Sequence, residues 1–471
     1  MNKFGLLISF TGLAATTATA ADLPANSASA PTVAPAATNA PTARNLFSEF
    51  LAAGAATNSF QMWSWHVQNT DIGQADPAFP AKYSGPNSLN SQGEFKETVS
   101  LDLFAGVRLW PGAEVHADGL MWQGFGLSQT LGAEAFPNGE AFKVGTKVPK
   151  VNLARIFIRQ TFGFGGEQED VADDQLDLAG KEDISRLTVT LGRISVKDIF
   201  DNNAYANDPR TQFMSWAFMA NQAWDYPGDS LGYTTGVALE LNQPQWTLRY
   251  GWFQMPRVSN GMGQDMHYLA AWGMVTELER RYTIADHPGT VRLLAFLNRA
   301  HMGDYAQATE EAIENSEPAD IADTRAYRLK YGFGLNLEQE IVKNVGVFSR
   351  IGWSDGGSEA WVFSDVDRSA TLGISVKGAF WNRPDDTFAI AGAVNGISHV
   401  HQEFLEAGGT GILAGDGTLD YGLEKAVETY YDCAVWKTIH AALDYQFISD
   451  PAFNQARGPV SVFSARVHWE F

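Results

Sequence analysis

The chain has 471 residues, 45% apolar, 12% aromatic and only 18% charged, with 33 Lys and Arg against 54 Asp and Glu for a formal net charge of −21. That acidic balance excludes the basic footprint nucleic-acid binding requires, and the single cysteine, Cys433, excludes a disulfide framework or a cysteine-rich metal site. The 45 Gly, 29 Phe, 14 Trp and 14 Tyr suit a turn-rich all-β chain with aromatic girdles better than a helical enzyme, and they exclude disorder for the bulk.

Residues 1–20 read as a secretory signal peptide, with Lys3 at the positive start, an apolar stretch from Phe4 to Ala15 and an Ala18-Thr19-Ala20 cleavage site. Residues 21–44 are almost entirely Ala, Pro, Ser, Thr and Asn, too poor in apolar surface to fold, and read as a flexible segment. Nothing downstream approaches the ~18 consecutive apolar residues of a membrane helix. The exported remainder, 45–471, is therefore expected to be either soluble or a membrane barrel.

Alternation favours the barrel. Candidate strands fall at 58–68, 96–110, 113–126, 150–164, 185–195, 231–242, 246–255, 265–281, 290–301, 325–339, 345–354, 368–381, 387–395, 425–436, 438–448 and 461–471. Sixteen is an even number, as single-chain bacterial barrels require. Val99, Leu101, Leu103, Ala105, Val107 and Leu109 share one face, opposite Ser100, Asp102, Phe104, Gly106 and Arg108. After the Pro111-Gly112 turn, Glu114, His116 and Asp118 oppose Val115 and Ala117, and further on Trp246, Leu248, Tyr250 and Trp252 oppose Thr247, Arg249 and Gly251. Apolar faces with Trp and Tyr near strand ends suit a lipid boundary, and faces of Gly, Arg and carboxylates suit a wet interior. Connections alternate between short (111–112, 243–245, 282–289, 340–344, 382–386) and long (69–95, 127–149, 196–230, 302–324, 396–424), with 165–184 a long exception on the short side. The last strand alternates Phe463, Ala465, Val467, Trp469 and Phe471 against Arg466, His468 and Glu470. An alternating last strand ending in Phe resembles the signal by which outer-membrane barrels are recognised for insertion.

Several blocks carry a more specific likeness. They run from Asp198 to Arg210 (Asp-Ile-Phe-Asp-Asn-Asn-Ala-Tyr-Ala-Asn-Asp-Pro-Arg), then Trp216, Ala223–Pro227, Asp367-Arg368, Trp381–Asp386, Gly415–Gly417, Glu428–Tyr431, Asp444–Gln446 and Ala456–Pro459. Taken together and in this order, they resemble the carbohydrate-selective porins, the OprB family, over residues 96 to 471. The resemblance implies a sixteen-stranded antiparallel transmembrane β-barrel in a Gram-negative outer membrane, passing monosaccharides by diffusion. It implies sugar solutes, lipid and lipopolysaccharide as partners, is compatible with a homotrimer, and involves no cofactor, metal or catalysis.

Sixteen strands leave a water-filled lumen, so selectivity comes from what narrows it. The connection 196–230 is expected to fold inward, being too long and aromatic for an idle surface loop, with Phe200, Tyr205, Phe213, Trp216, Phe218, Trp224 and Tyr226 beside Asp198, Asp201, Asp208 and Arg210. Alternation points Arg155, Arg159, Arg249, Arg350, Glu114, Asp118 and Glu240 into the channel. Guanidinium groups donate and carboxylates accept, so together they can replace water on sugar hydroxyls, while a face such as Trp224 covers pyranose C–H groups. The alternative is a general or anion-favouring porin, in which the same charges set only a transverse field. Other clusters read as ordinary: His399 and His401 as solvated or helix-capping, Asp170, Asp173, Asp174 and Asp177 as a solvated acidic turn, and Glu310, Glu311, Glu314, Glu317 and Asp320 as an acidic loop. His116 with Asp118 is the one inward pair that invites comparison with an enzyme, and such pairs are usually structural.

Overall fold

A computed structural model of the chain describes residues 61–141 and 145–471. The expected signal peptide, the segment 21–44 and the first residues of the earliest expected strand lie outside the described residues. Eighteen strands are described: β1 (Trp63–Asp76), β2 (Glu94–Trp110), β3 (Ala113–Gly124), β4 (Thr146–Gly163), β5 (Gln168–Val171), β6 (Gly180–Asp183), β7 (Arg186–Ile194), β8 (Thr234–Gln243), β9 (Trp246–Gln254), β10 (Trp272–Ile284), β11 (His287–Met302), β12 (Ala326–Val342), β13 (Val345–Ser354), β14 (Arg368–Lys377), β15 (Thr387–Gly396), β16 (Glu424–Trp436), β17 (Ile439–Ser449) and β18 (Val460–Glu470). All but β5 and β6 form one closed antiparallel barrel, each strand hydrogen-bonded to its neighbours in chain order and β18 returning to β1, with Thr70 opposite His468 and Gly73 opposite Ala465. Closure leaves no unpaired edge, which a backbone surrounded by hydrocarbon cannot tolerate.

The expected sixteen-stranded wall is present, and strand ends moved only where the side-chain pattern misleads. β1 runs on to Asp76, because Asn69, Asp71 and Gly73 on its outer face conceal the alternation. β10 starts at Trp272, seven residues later than expected from position 265, and Met266, Tyr268 and Leu269 lie exposed in the preceding loop. β14 ends at Lys377, where a short 3-10 turn, Gly378–Trp381, takes over.

Outward residues form the apolar surface that the alternation foretold. Leu103, Val107, Leu293, Leu372 and Leu443 are all exposed, while Asp102, Phe104 and Arg292 on the opposite faces are buried. At the end bearing the tight turns, Trp110, Trp381, Trp436 and Phe471 stand exposed, the arrangement of an interfacial aromatic girdle. The inward face is buried because the lumen is filled from the long-loop end. The loop after β7, residues 195–233, carries Phe200, Phe213, Trp216, Phe218 and Trp224, all buried, into a cluster with the wall residues Phe253, Val275, Leu294 and Phe296 and a second with Phe348 and Tyr430. Inward folding of this loop is thus a property of the fold. The exceptional connection 165–184 is the hairpin β5–β6, with Gln168 opposite Asp183.

Candidate functional site

The infolded loop stays in place because wall side chains replace the water its backbone would otherwise need. It leaves β7 through a 3-10 turn, Val196–Asp198. There Asp198 accepts from Ser195 N at 3.1 Å and, bidentately, from Arg155 Nε and Nη2 at 2.8 and 2.7 Å. Arg155, on β4, uses its remaining nitrogen on Asp118 of β3 at 2.6 Å. Three residues on, Asp201 adopts left-handed backbone (φ 56°), a region Asp tolerates better than most residues. Its carboxylate accepts from Asn221 N (2.8 Å), Asn336 Nδ2 (2.7 Å) and Arg350 Nε (3.1 Å), while its own N–H donates to Glu277 Oε2 (2.7 Å). Farther along, Arg466 donates to the carbonyls of Pro209 and Gln212, Glu428 accepts from the N–H groups of Met214 and Ser215, and Lys330 pairs with Asp225 at 3.2 Å. The loop is therefore pinned to β4, β10, β12, β13, β16 and β18, far apart round the barrel, so it crosses the lumen.

Wall glycines admit this approach. A side chain at Gly346 would collide with the ring of Tyr205, and one at Gly352 with the amide of Asn221. Burial works to raise the Asp201 carboxyl, but Arg350 and Lys197 outweigh it and hold it at about 2. Burial brings the Lys197 ammonium down to about 8 against the upward pull of Asp201, with Arg350 pushing the same way as burial.

A second loop also enters through its described residues 125–141. Glu424 on β16 accepts from the N–H groups of Glu134 and Ala135, and the Pro137 carbonyl accepts from Gln74 and Gln446. Phe136 then stacks on Trp216 at 5.4 Å with 11° between the rings, and Glu140 pairs with Arg210 at 3.1 Å. The two loops, β4 and residues of later loops border an open cavity, about 950 Å³ with the space continuous with solvent included. Phe136, Trp216, Tyr226 and Phe363 give it apolar faces, and three cations, Arg155, Lys197 and Arg210, stand against three anions, Glu140, Asp198 and Asp208. Four residues of its lining each hold a buried polar atom with no partner among the described residues: Trp216 Nε1, Ser230 Oγ, Asn207 Oδ1 and Asn260 Oδ1.

The residues expected to line the channel sort into three groups. Arg155, Asp208 and Arg210 line this cavity. Arg159, Arg249 and Glu240 line another, near the tight-turn end, where Arg249 pairs with Glu240, Glu277 and Glu279 at 2.8–3.0 Å. The remainder line neither cavity, which corrects the expectation. Arg350 is 1% exposed because it holds Asp201 and the Phe218 carbonyl, and Trp224 is 1% exposed because it packs on Phe200 and Tyr226. Asp118 is sealed behind Arg155, and Glu114 is spent on Arg108 at 2.8 Å and His116 at 3.2 Å. His116 thus bonds Glu114 and not Asp118.

Other expectations also shift. His399 and His401 sit in the helix His399–Glu406, where His399 is exposed, and His401 is buried against Tyr305 with its Nδ1 3.1 Å from Asp367. The turn around Asp173 and Asp177 is not merely solvated, because these residues pair with His66 at 3.1 Å and Arg159 at 2.5 Å. The second infolded loop was missed as part of the site. Its signal was Glu424, a carboxylate on an inward face with no cation on that face of its own strand to meet.

A lipid-faced closed barrel whose lumen is narrowed by loops folded in from one end defines an outer-membrane porin, a channel by construction. Residues 86–471 match the model of the family described as carbohydrate-selective porin, OprB family, and the chain belongs to that family. No curated protein matches the chain. Among solved structures, OprB of Pseudomonas putida at high pH is similar with a TM-score of 0.68 at 16% identity, over 91% of this chain and 96% of that one. Its low-pH form gives 0.48 at 13% identity over 90% and 95%. OccK8 (OprE) of Pseudomonas aeruginosa gives 0.43 at 10% identity over 88% and 99%.

Proposed function

We propose that the cavity between the two infolded loops is the constriction through which monosaccharides diffuse, held briefly by a neutral set of hydrogen-bonding groups and an aromatic face. The observation that carries this reading is the quartet of unpartnered atoms. The indole N–H of Trp216 donates, the Asn207 and Asn260 oxygens accept, and the Ser230 hydroxyl does either. An ion would need one sign of charge, whereas a hydroxyl-rich neutral solute needs both hydrogen-bonding roles without net charge. The three-to-three balance of cations and anions supports the same choice over an anion-favouring channel. Leaving buried polar groups unpaired costs about 1–3 kcal/mol each, so a small turn of these side chains toward a passing sugar is favoured, and the contact stays weak enough to release it.

The test is current through single channels with glucose added on the long-loop side. Glucose is expected to interrupt the current, and Trp216→Phe, which keeps the stack on Phe136 but removes the donor, is expected to weaken the block about tenfold, the worth of one such bond. Glucose that never alters the wild-type current would sink the reading and leave a general porin in its place.

A further inference from the structure

The link between β4 and β7 lies at the end where the other described connections are short, most of them tight turns such as Pro111-Gly112, Ala285-Asp286 and Lys343-Asn344. Antiparallel neighbours need only two residues to join them, yet this link runs from Phe164 to Ser185 and holds the hairpin β5–β6. Its outgoing limb is exposed, whereas the returning limb, 175–184, is half-buried or buried except at Lys181. Gln175 donates to Gln68 on β1 at 2.9 Å and reaches Glu470 on β18 at 3.4 Å. Arg108 on β2 donates to the carbonyls of Leu178 and Ala179 at 3.3 and 3.5 Å, and Arg159 on β4 holds Asp177. Leu178 is buried, and Leu176 packs toward the cluster that contains Phe157. The hairpin thus folds into the mouth across β4, β2 and β1 as far as β18.

Between the hairpin and β4, β7, β8 and β9 lies an open polar cavity, about 590 Å³ with the space continuous with solvent included. Asp177 and Glu182 from the hairpin meet Arg159, Arg186, Glu240 and Arg249 there, three carboxylates among three guanidinium groups, with Thr and Asn side chains between them. Asp177 keeps 45% of its side chain exposed while paired with Arg159, so the ion pair presents itself to the open space. Tight turns of such barrels face the periplasm.

We propose that this hairpin is a second selectivity element, in series with the Trp216 cavity, which narrows the periplasmic mouth and forms there an exit subsite for neutral polyols. Paired charges offer fixed donors and acceptors with little net field, and a second weak site downstream of the first lets a solute be passed on and not trapped. The polyol as ligand rests on the sugar reading above; the narrowing of the mouth does not.

The test separates the two. In a Cys433→Ser background, Asp177→Cys is labelled from the tight-turn side with a negatively charged methanethiosulfonate reagent, and the potassium chloride current is expected to fall by about a third or more as the added group fills the mouth. Current unchanged after complete labelling, judged by mass, overturns the proposal whatever sugar does. A chain in which residues 167–182 are replaced by Gly-Asn is expected to conduct about twofold more than the parent. Asp177→Asn is then expected to weaken glucose block from the tight-turn side about threefold or more while leaving block from the long-loop side, set at Trp216, unchanged. A hairpin that narrows the mouth but leaves that block alone removes the subsite and overturns the proposal. Wild-type glucose block absent from both sides, with the labelling effect intact, would locate the failure in the sugar reading.

Discussion

Arg350 on β13 and Asp201 in the infolded loop form a buried pair that holds wall and constriction together. The guanidinium Nε lies 3.1 Å from Asp201 Oδ1, and its other nitrogens donate to the Asp201 carbonyl at 3.0 Å and the Phe218 carbonyl at 2.6 Å. One side chain thus fixes the loop at two points, and its planar fork is what allows three bonds at once. Removing one partner of a buried pair leaves an uncompensated charge and costs about 3–5 kcal/mol. Arg350→Ala is therefore expected to lower the unfolding free energy by that order and to raise open-channel noise as the loop detaches. Arg350→Lys should recover little, because an ammonium cannot reproduce the fork. A quiet, fully stable Arg350→Ala channel would show that the loop is held elsewhere.

Lys197 gives the constriction a pH dependence of definite sign. Its folded value of about 8 lies below the ordinary 10.5, chiefly through burial. Between those values the unfolded chain holds the proton and the folded chain does not, so unfolding free energy rises with pH across that window and the group is a liability below it. In the channel the consequence is electrical. Cations and anions of the lining balance at neutral pH, and loss of the Lys197 charge leaves an excess of carboxylate. Permeability is expected to shift toward cations as pH rises from 7 to 9, with a midpoint near 8, and the shift should vanish in Lys197→Met. Reversal potentials across a potassium chloride gradient measure it, and a shift toward anions would contradict the assignment.

The barrel was legible because lipid and water impose a period of two on every strand they border. Leu103 out and Asp102 in is a pattern no loop maintains, and the wall departed from it mainly where polar residues such as Asn69 and Asp71 occupy the outer face of β1. The constriction was legible only as a segment. Alternation says that Arg155 and Arg350 both point inward, but in a filled lumen inward has two meanings, the open cavity for Arg155 and the back of a loop for Arg350. Nothing in the local sequence separates them, because the partner that decides lies far along the chain. Within the loop there is no period at all, so Trp216 on the cavity and Trp224 beneath it look alike. The length of 165–184 announced an anomaly, and its anchors (His66, Arg108 and Arg159) could be recognised only once β1, β2 and β4 stood side by side.

The two faces of one strand pair allow the wall itself to be tested with a single residue type. Arg350 sits opposite Thr371 in the register between β13 and β14, and the next residue of β14, Leu372, turns to the other side with 67% exposure. An arginine at 350 finds a carboxylate and two carbonyls waiting for it. An arginine at 372, one step along the neighbouring strand, would meet hydrocarbon, where such a side chain costs about 2–4 kcal/mol near the midplane. Leu372→Arg is accordingly expected to destabilise the barrel folded in lipid vesicles by that amount while leaving conductance and sugar block unaltered, since the residue touches no part of the lumen. Leu372→Phe should be close to neutral, because it keeps the apolar boundary. If Leu372→Arg were tolerated without loss, or if it changed the current through the channel, the face that carries Leu372 would not border lipid, and the inside-out assignment of the wall would have to be reversed.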